Sequence, residues 1–520
     1  MIHIRFLLAA LLNLTWCVAY TQASQSQARE HFERELQKCR DVKWREDLRV
    51  FYTYADFQLC WIGNDMLILQ LNNYVKNAAE QGLRKEDYHY QAISDYAAMN
   101  ISAMSDDDLL DADIRFTDAA IHFFRDISFG TQPPEFRYSG FSYVPDAGKL
   151  VKQIFESVSG HTFQYLLAAT EHCSPEYLAL KKQLAVFNSI RNDCYISGAA
   201  LVSSKVNNKN KILLEKLQQL GIIAAGDTLP DKALTASVAR AQRLFYLPEN
   251  GKLNAALIEQ LNVPLVDRIA AVEKAINQLR WLDAIRQQWP YIAVVNIPSA
   301  SLSVYAGNNM VLESKLVVGK YSTPTPTLSS TIKEIILYPY WFVPHKIATR
   351  ELLPLIKKDK NYLSANNFQV LNTRGKVLDP ATIEWQQLST QHFPYLLRQS
   401  TGCDNSLGII KINFYSPFDV YLHDTPGKTL FNFNRRYFSH GCMRLQKATE
   451  LAHLLLRDRQ AAMDTIISRG CIKNQAPVVM PVSTAMPIFI LYNTAWVDAS
   501  FTPGFYYDVY RKTIAGRRRR

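Results

Sequence analysis

A chain of 520 residues, 48% hydrophobic and 20% charged, is too long for one hydrophobic core and too balanced in composition for a disordered or low-complexity protein. Several packed domains are expected, without internal repeats. The net charge is +11, and six of those charges stand at Arg511, Lys512 and Arg517 to Arg520. Such a run is ordinarily a solvated end, and its sharper reading is attraction to an anionic membrane or wall surface.

The N-terminus reads Met1-Ile2-His3-Ile4-Arg5, an apolar run from Phe6 to Trp16, then small residues. This is a secretory signal over 1–23, too short for a full membrane span, which would act as a tether if left uncleaved. Export to the periplasm argues against nucleic acid as a partner and permits disulfides. Seven cysteines follow the signal: Cys39, Cys60, Cys173, Cys194, Cys403, Cys442 and Cys471. The odd count leaves one free thiol, for which Cys442 is the natural choice. Neighbours in sequence suggest Cys39–Cys60 and Cys173–Cys194, with Cys403–Cys471 remaining, although spacing alone does not fix connectivity.

Residues 24–205 read as a helical domain. Within it, 111–127 places Phe116, Ala120, Phe123 or Phe124, and Ile127 on one face, and Phe129-Gly130 with Pro133-Pro134 ends the run. Asp106, Asp107 and Asp108 read as the acidic start of that helix rather than a metal cluster. Residues 206–268 carry three short helical patterns: Leu213, Leu217 and Leu220 closed by Gly221; Leu234, Val238, Ala241 and Phe245 behind a cap at Asp231; and Leu257 and Leu261 behind a cap at Asn254, stopped by Pro264. A connecting helix over 269–289 shows an apolar side of Val272, Ile276 and Leu279. Strand patterns begin at 291–298 and continue as a hairpin, 301–305 and 311–318, about Gly307-Asn308. Residues 346–400 read as a helical and loopy insertion between strand blocks. Strands return at 409–414 and 419–422, a helix at 448–457, and a last strand at 488–497, within a C-terminal segment 476–520 that ends in the basic tail.

The chemistry gathers in Ser439-His440-Gly441-Cys442-Met443-Arg444 and, upstream, Tyr421-Leu422-His423-Asp424-Thr425-Pro426. A thiol needs a nearby imidazole to react near neutral pH, and His423 stands at the distance of a strand and a loop from Cys442. His440 competes for that role, because alternation in an extended segment would put it on the face of Cys442. Asp424, next to His423 on a strand, would point away from it. A zinc site made of His423, His440 and Cys442 fits ligand spacings poorly, and no metal or other cofactor is expected.

These two stretches resemble the L,D-transpeptidase family, whose signature is a histidine, a gap, then Ser/Thr-His-Gly-Cys and an arginine. Asn405-Ser406-Leu407-Gly408, Thr323-Pro324-Thr325-Pro326-Thr327 and Pro339-Tyr340-Trp341-Phe342-Val343-Pro344 resemble further segments of its large multidomain branch. The resemblance implies an α+β multidomain chain: a helical scaffold domain, a small three-helix peptidoglycan-binding-like module, and a β-rich catalytic domain over 290–475 whose insertion at 346–400 caps the site. It implies Cys442 as nucleophile and His423 as base, the latter oriented by a backbone carbonyl near Ser439. It also implies backbone N–H groups about Gly441 and Cys442 facing an oxyanion, an accessory His440, Arg444 and Tyr421 against substrate, and acylation by carbapenems. Peptidoglycan stem peptides would be donor and acceptor in 3→3 crosslinking. An L,D-carboxypeptidase or endopeptidase with the same nucleophile, or an idle wall-binding protein, are the alternatives.

Overall fold

The computed structural model describes residues 25–512 apart from 97–103, 194–198, 203–204, 208–209, 225, 228 and 473–474. The signal segment, Cys194 and the arginine run at 517–520 lie outside the described residues. Among those described, no helix is long and apolar enough to cross a membrane.

The N-terminal third is helical around a core of its own, which includes Phe51, Trp61, Ile114, Phe123 and Phe124. Its central helix, Asp106–Phe129, opens on a capping box in which the Ser105 side chain accepts from the Asp108 N–H and the Asp108 side chain bonds back. The three acids therefore start a helix. Cys39 and Cys60 are both free: the Cys39 thiol donates to the Asp111 carboxylate at 3.0 Å. The expected Cys39–Cys60 bridge is thus absent, and Cys442 is not the sole free thiol. Cys173 is also free and exposed. Of the three proposed bridges, Cys403–Cys471 is formed.

Three helices, Lys211–Gln219, Asp231–Leu244 and Ala255–Leu261, build the small module. Asn254 caps the third as expected, but Asp231 is the first helical residue and Pro230 the cap. Gln242, fully buried, accepts from the Asn250 and Gly251 N–H groups and donates to Lys252 O, which fixes the turn before the third helix. Pro264 ends that helix and at once begins the connector, which runs Leu265–Arg286. The connector is not one-sided. From Gln278 to Arg286 every residue is buried, because its polar side chains find partners inside: Arg286 pairs with Asp283 at 2.7 Å and lies 3.6 Å over the Tyr305 ring, while Arg280 donates to Gln81 O at 2.8 Å. Helical domain, module and sheet all pack on this axle.

The sheet consists of β1 (Tyr138–Ser139), β2 (Ile292–Asn296), β3 (Ser301–Ala306), β4 (Asn309–Gly319), β5 (Leu328–Leu337), β10 (Ile410–Phe414), β11 (Leu422–His423), β12 (Tyr437–Ser439), β13 (Met443–Leu445) and β14 (Val478–Leu491). The numbers between belong to a second sheet in the insertion: β6 (Trp341–Phe342), β7 (Phe368–Leu371), β8 (Val377–Leu378) and β9 (Leu396–Gln399). β14 pairs with β2 on one side and β5 on the other, so the main sheet closes on itself. The strand expected over 488–497 thus starts ten residues earlier and stops at Leu491, while Ala495–Val497 pairs with Pro503–Phe505 in a small separate sheet. Alternation divides β2 between two cores. Ala293 and Val295 face inward, in the cluster that includes the helix Ala448–Leu456, and Ile292 and Val294 face the connector. β1, from the helical third, adds a parallel strand at β5.

The insertion is more β-structured than its sequence suggests. Trp341 pairs with Gln399 and Phe342 with Arg398, which closes its two ends on each other. Its apolar residues form a satellite core of Val343, Leu353, Phe368, Val370, Phe393 and others.

Candidate active site

Three strands carry the site. Lys411 of β10 pairs with His423 of β11, and His423 pairs with Arg444 of β13, whose far neighbour is Val317. Paired residues share a face, so Lys411, His423 and Arg444 form one row. Tyr421 and Cys442 stand one step back on the same face. The opposite face turns Ile410, Ile412, Leu422, Met443 and Leu445 into the core. Strict alternation of apolar and polar side chains thus puts this row on the face opposite the core.

His423 is buried, and its Nδ1 is 2.6 Å from Asp424 O. A carbonyl only accepts, so that contact makes Nδ1–H a donor. The backbone carbonyls that hold the ring are therefore those of Asp424 and Leu407. The Ser439 carbonyl, near which one was expected, instead accepts from Lys320 N at 3.0 Å and Thr323 Oγ1 at 3.1 Å. The Asp424 carboxylate takes the Ile409 N–H and the Lys428 ammonium and does not reach the imidazole as a triad acid. Burial first, then the Arg444 and Lys411 charges, push the His423 pKa down to about 3.

Cys442 is half-buried, with Sγ 3.8 Å from Asp419 O. Burial pushes its thiol up, opposed by hydrogen bonds from the Tyr421 N–H and hydroxyl and by the Lys411 and Arg444 charges. Both shifts favour the neutral forms, of the Cys442 thiol and of the His423 imidazole. Thiolate appears only above the usual 9.0, so alkylation of Cys442 by iodoacetamide should climb through pH 9 with no plateau at acid pH; a rate already level at pH 6 would contradict this. A stability effect accompanies it. The folded His423 pKa lies below its ordinary 6.5, so the unfolded chain binds the extra proton, and the contribution is full above 6.5 and lost as pH falls toward about 3. His423→Gln should flatten the fall of melting temperature over that window, and an unchanged slope would refute the assignment.

Gly441 has φ +122, a conformation that L side chains rarely adopt, and this breaks the extended run between His440 and Cys442. His440 therefore does not share the face of Cys442. Its Nε2 reaches outward to Glu351 Oε1 of the insertion at 2.7 Å. The Ser439 hydroxyl accepts from Gly441 N and donates to Cys442 O, which pins the turn. Arg444 forms no ion pair among the described residues, and its buried Nε lacks a partner. Lys411, absent from the sequence-based candidates, lies 4.1 Å over the Tyr421 ring and likewise has no ion pair among those residues. A lysine alternating with buried apolar residues in Ile410-Lys411-Ile412 was the signal that might have found it; its strand neighbours appear only in the fold.

Residues 290–483 match the family model of the L,D-transpeptidase catalytic domain, and residues 46–184 match that of a scaffold domain. Over residues 290–483 the chain is thus similar to an L,D-transpeptidase catalytic domain. A curated Haemophilus influenzae protein, provisionally named an L,D-transpeptidase, is 36% identical over 204 residues, a match that spans 39% of this chain and 41% of that relative. A solved L,D-transpeptidase from Mycobacterium smegmatis is 15% identical, with a TM-score of 0.19 over 39% of this chain and 58% of that one. All seven site residues named from sequence fall inside the matched catalytic domain. The group His31, Glu35 and Asp107 has metal-ligand character but lies in the helical third, where the Lys38 ammonium already meets both acids.

Proposed function

We propose that this protein forms 3→3 crosslinks between peptidoglycan stem peptides outside the cytoplasm. The observation that carries the reading is the single sheet face that holds a thiol, an imidazole and two cations, Lys411 and Arg444, which have no ion-pair partner among the described residues. Two cations without ion-pair partners among the described residues, close to a thiol, suit a substrate that brings its own carboxylates, as stem peptides do. An arriving carboxylate offsets these charges and raises the basicity of His423 when the thiol must lose its proton.

In this reading Cys442 passes its proton to His423 and attacks the carbonyl between the L-centre of diaminopimelate and D-alanine. A C–S bond forms, the imidazolium protonates the leaving nitrogen, and D-alanine departs. An acceptor amine then attacks the thioester, its proton goes to His423, a C–N bond replaces the C–S bond, and the thiol is regenerated. The Cys442 N–H, which meets no acceptor among the described residues, is the donor suited to the oxyanion.

Incubation of the purified protein with disaccharide tetrapeptides, followed by mass analysis, tests this. Crosslinked dimers with loss of D-alanine are expected, together with a single carbapenem adduct on Cys442. Tripeptides alone would show a carboxypeptidase, and unaltered muropeptides a wall-binding protein.

A further inference from the structure

The turn that carries the nucleophile is held from behind by two residues remote from it in sequence. The Thr325 hydroxyl donates to Gly441 O at 2.8 Å and accepts from Gly319 N at 2.9 Å. Thr325 is held in turn by Tyr510, whose hydroxyl accepts from Thr325 N at 3.0 Å and donates to Gly319 O at 2.7 Å. Gly319 leaves no room for another residue, since an added Cβ would stand 2.2 Å from Thr323 O. Tyr510 is itself fixed to the end of β14: its N–H donates to the Tyr492 hydroxyl at 2.8 Å, their rings lie 5.5 Å apart, and the Tyr492 hydroxyl donates to Asp508 at 2.5 Å.

The consequence follows from peptide geometry. In a trans peptide the C=O and N–H point in opposite directions. Anchoring Gly441 O on Thr325 therefore aims the Cys442 N–H the other way, and among the described residues that N–H meets no acceptor. We infer that Thr325 and Tyr510 are positioning residues, which hold the Gly441–Cys442 peptide so that its N–H faces the oxyanion of acyl transfer. The extreme C-terminal segment would thereby take part in catalysis without touching substrate. The inference rests on acyl transfer at Cys442 and not on the identity of the acyl donor.

The test compares two reactions of Cys442 in the full chain, each read by peptide mass mapping. p-Nitrophenyl acetate acylates the thiol through a tetrahedral oxyanion: a C–S bond forms, the aryl C–O bond breaks and p-nitrophenolate leaves. Iodoacetamide alkylates the same sulfur by displacing iodide, with no oxyanion. Thr325→Val, which keeps shape and loses the hydroxyl, should slow acylation about 100-fold and change alkylation less than about threefold. Thr325→Ser should restore acylation, and Tyr510→Phe, which deletes only the second hydroxyl, should slow it about tenfold. Acylation of Thr325→Val and Tyr510→Phe at the wild-type rate would overturn the inference, as would equal losses in both reactions or failure of serine to rescue. Wild-type protein that acylates but never crosslinks muropeptides would sink the transpeptidase reading and leave this result standing.

Discussion

Cys442→Ser should lose crosslinking activity by about 10⁴-fold or more, with the melting temperature unchanged within about 1 °C. The alcohol is a far weaker nucleophile at neutral pH, and an imidazole whose pKa lies at about 3 cannot supply the missing basicity. The fold should not notice the change, because the described sulfur contacts beyond Tyr421 amount to one 3.8 Å approach to Asp419 O. Crosslinking assayed on purified muropeptides, beside thermal denaturation, checks both halves. Retained crosslinking would remove Cys442 from the nucleophile role, and a large loss of stability would make the activity result uninformative about chemistry.

Excision of the insertion should separate binding from reactivity. The Val343 N–H donates to Leu397 O at 2.9 Å, so a short Gly/Ser linker between those residues can replace 344–396 without moving the strands that flank it. Most of the satellite core leaves with the insertion, Val343 and Leu397 remaining, and the core inside the main sheet shares no residue with it. The Glu351 partner of His440 leaves as well. Muropeptide crosslinking should fall about 100-fold or more, because a peptide donor loses the wall that orients it, while iodoacetamide still reaches Cys442 at close to the original rate. A shortened protein that crosslinks normally would show that the insertion merely covers the domain. Within the insertion Tyr362 lies 6.3 Å from Phe368 and Phe393 6.0 Å from Tyr395.

The sequence by itself determined what short-range physics encodes. The acids at 106–108 start a helix because the capping box needs only four consecutive residues. Asn254 caps its helix, and Gly307-Asn308 turns the β3–β4 hairpin, with Ala306 opposite Asn309. The thiol, the imidazole and the arginine stood out as candidates because a cysteine with a histidine in reach is a pairing that chemistry gives a use. The tertiary structure decided what depends on distant partners. The connector's polar residues suggest a wet face, and only Asp283, Tyr305 and Gln81 reveal why they are buried. Spacing suggested Cys39–Cys60, but the Cys39 thiol finds Asp111 instead, 72 residues away. The carbonyls that hold His423 are those of its neighbour Asp424 and of the distant Leu407, which no residue type signals. Lys411 joins the site through strand register, and Tyr510 reaches Thr325 across 185 residues, because hydrogen bonds reward proximity in space and leave no periodic mark on the chain.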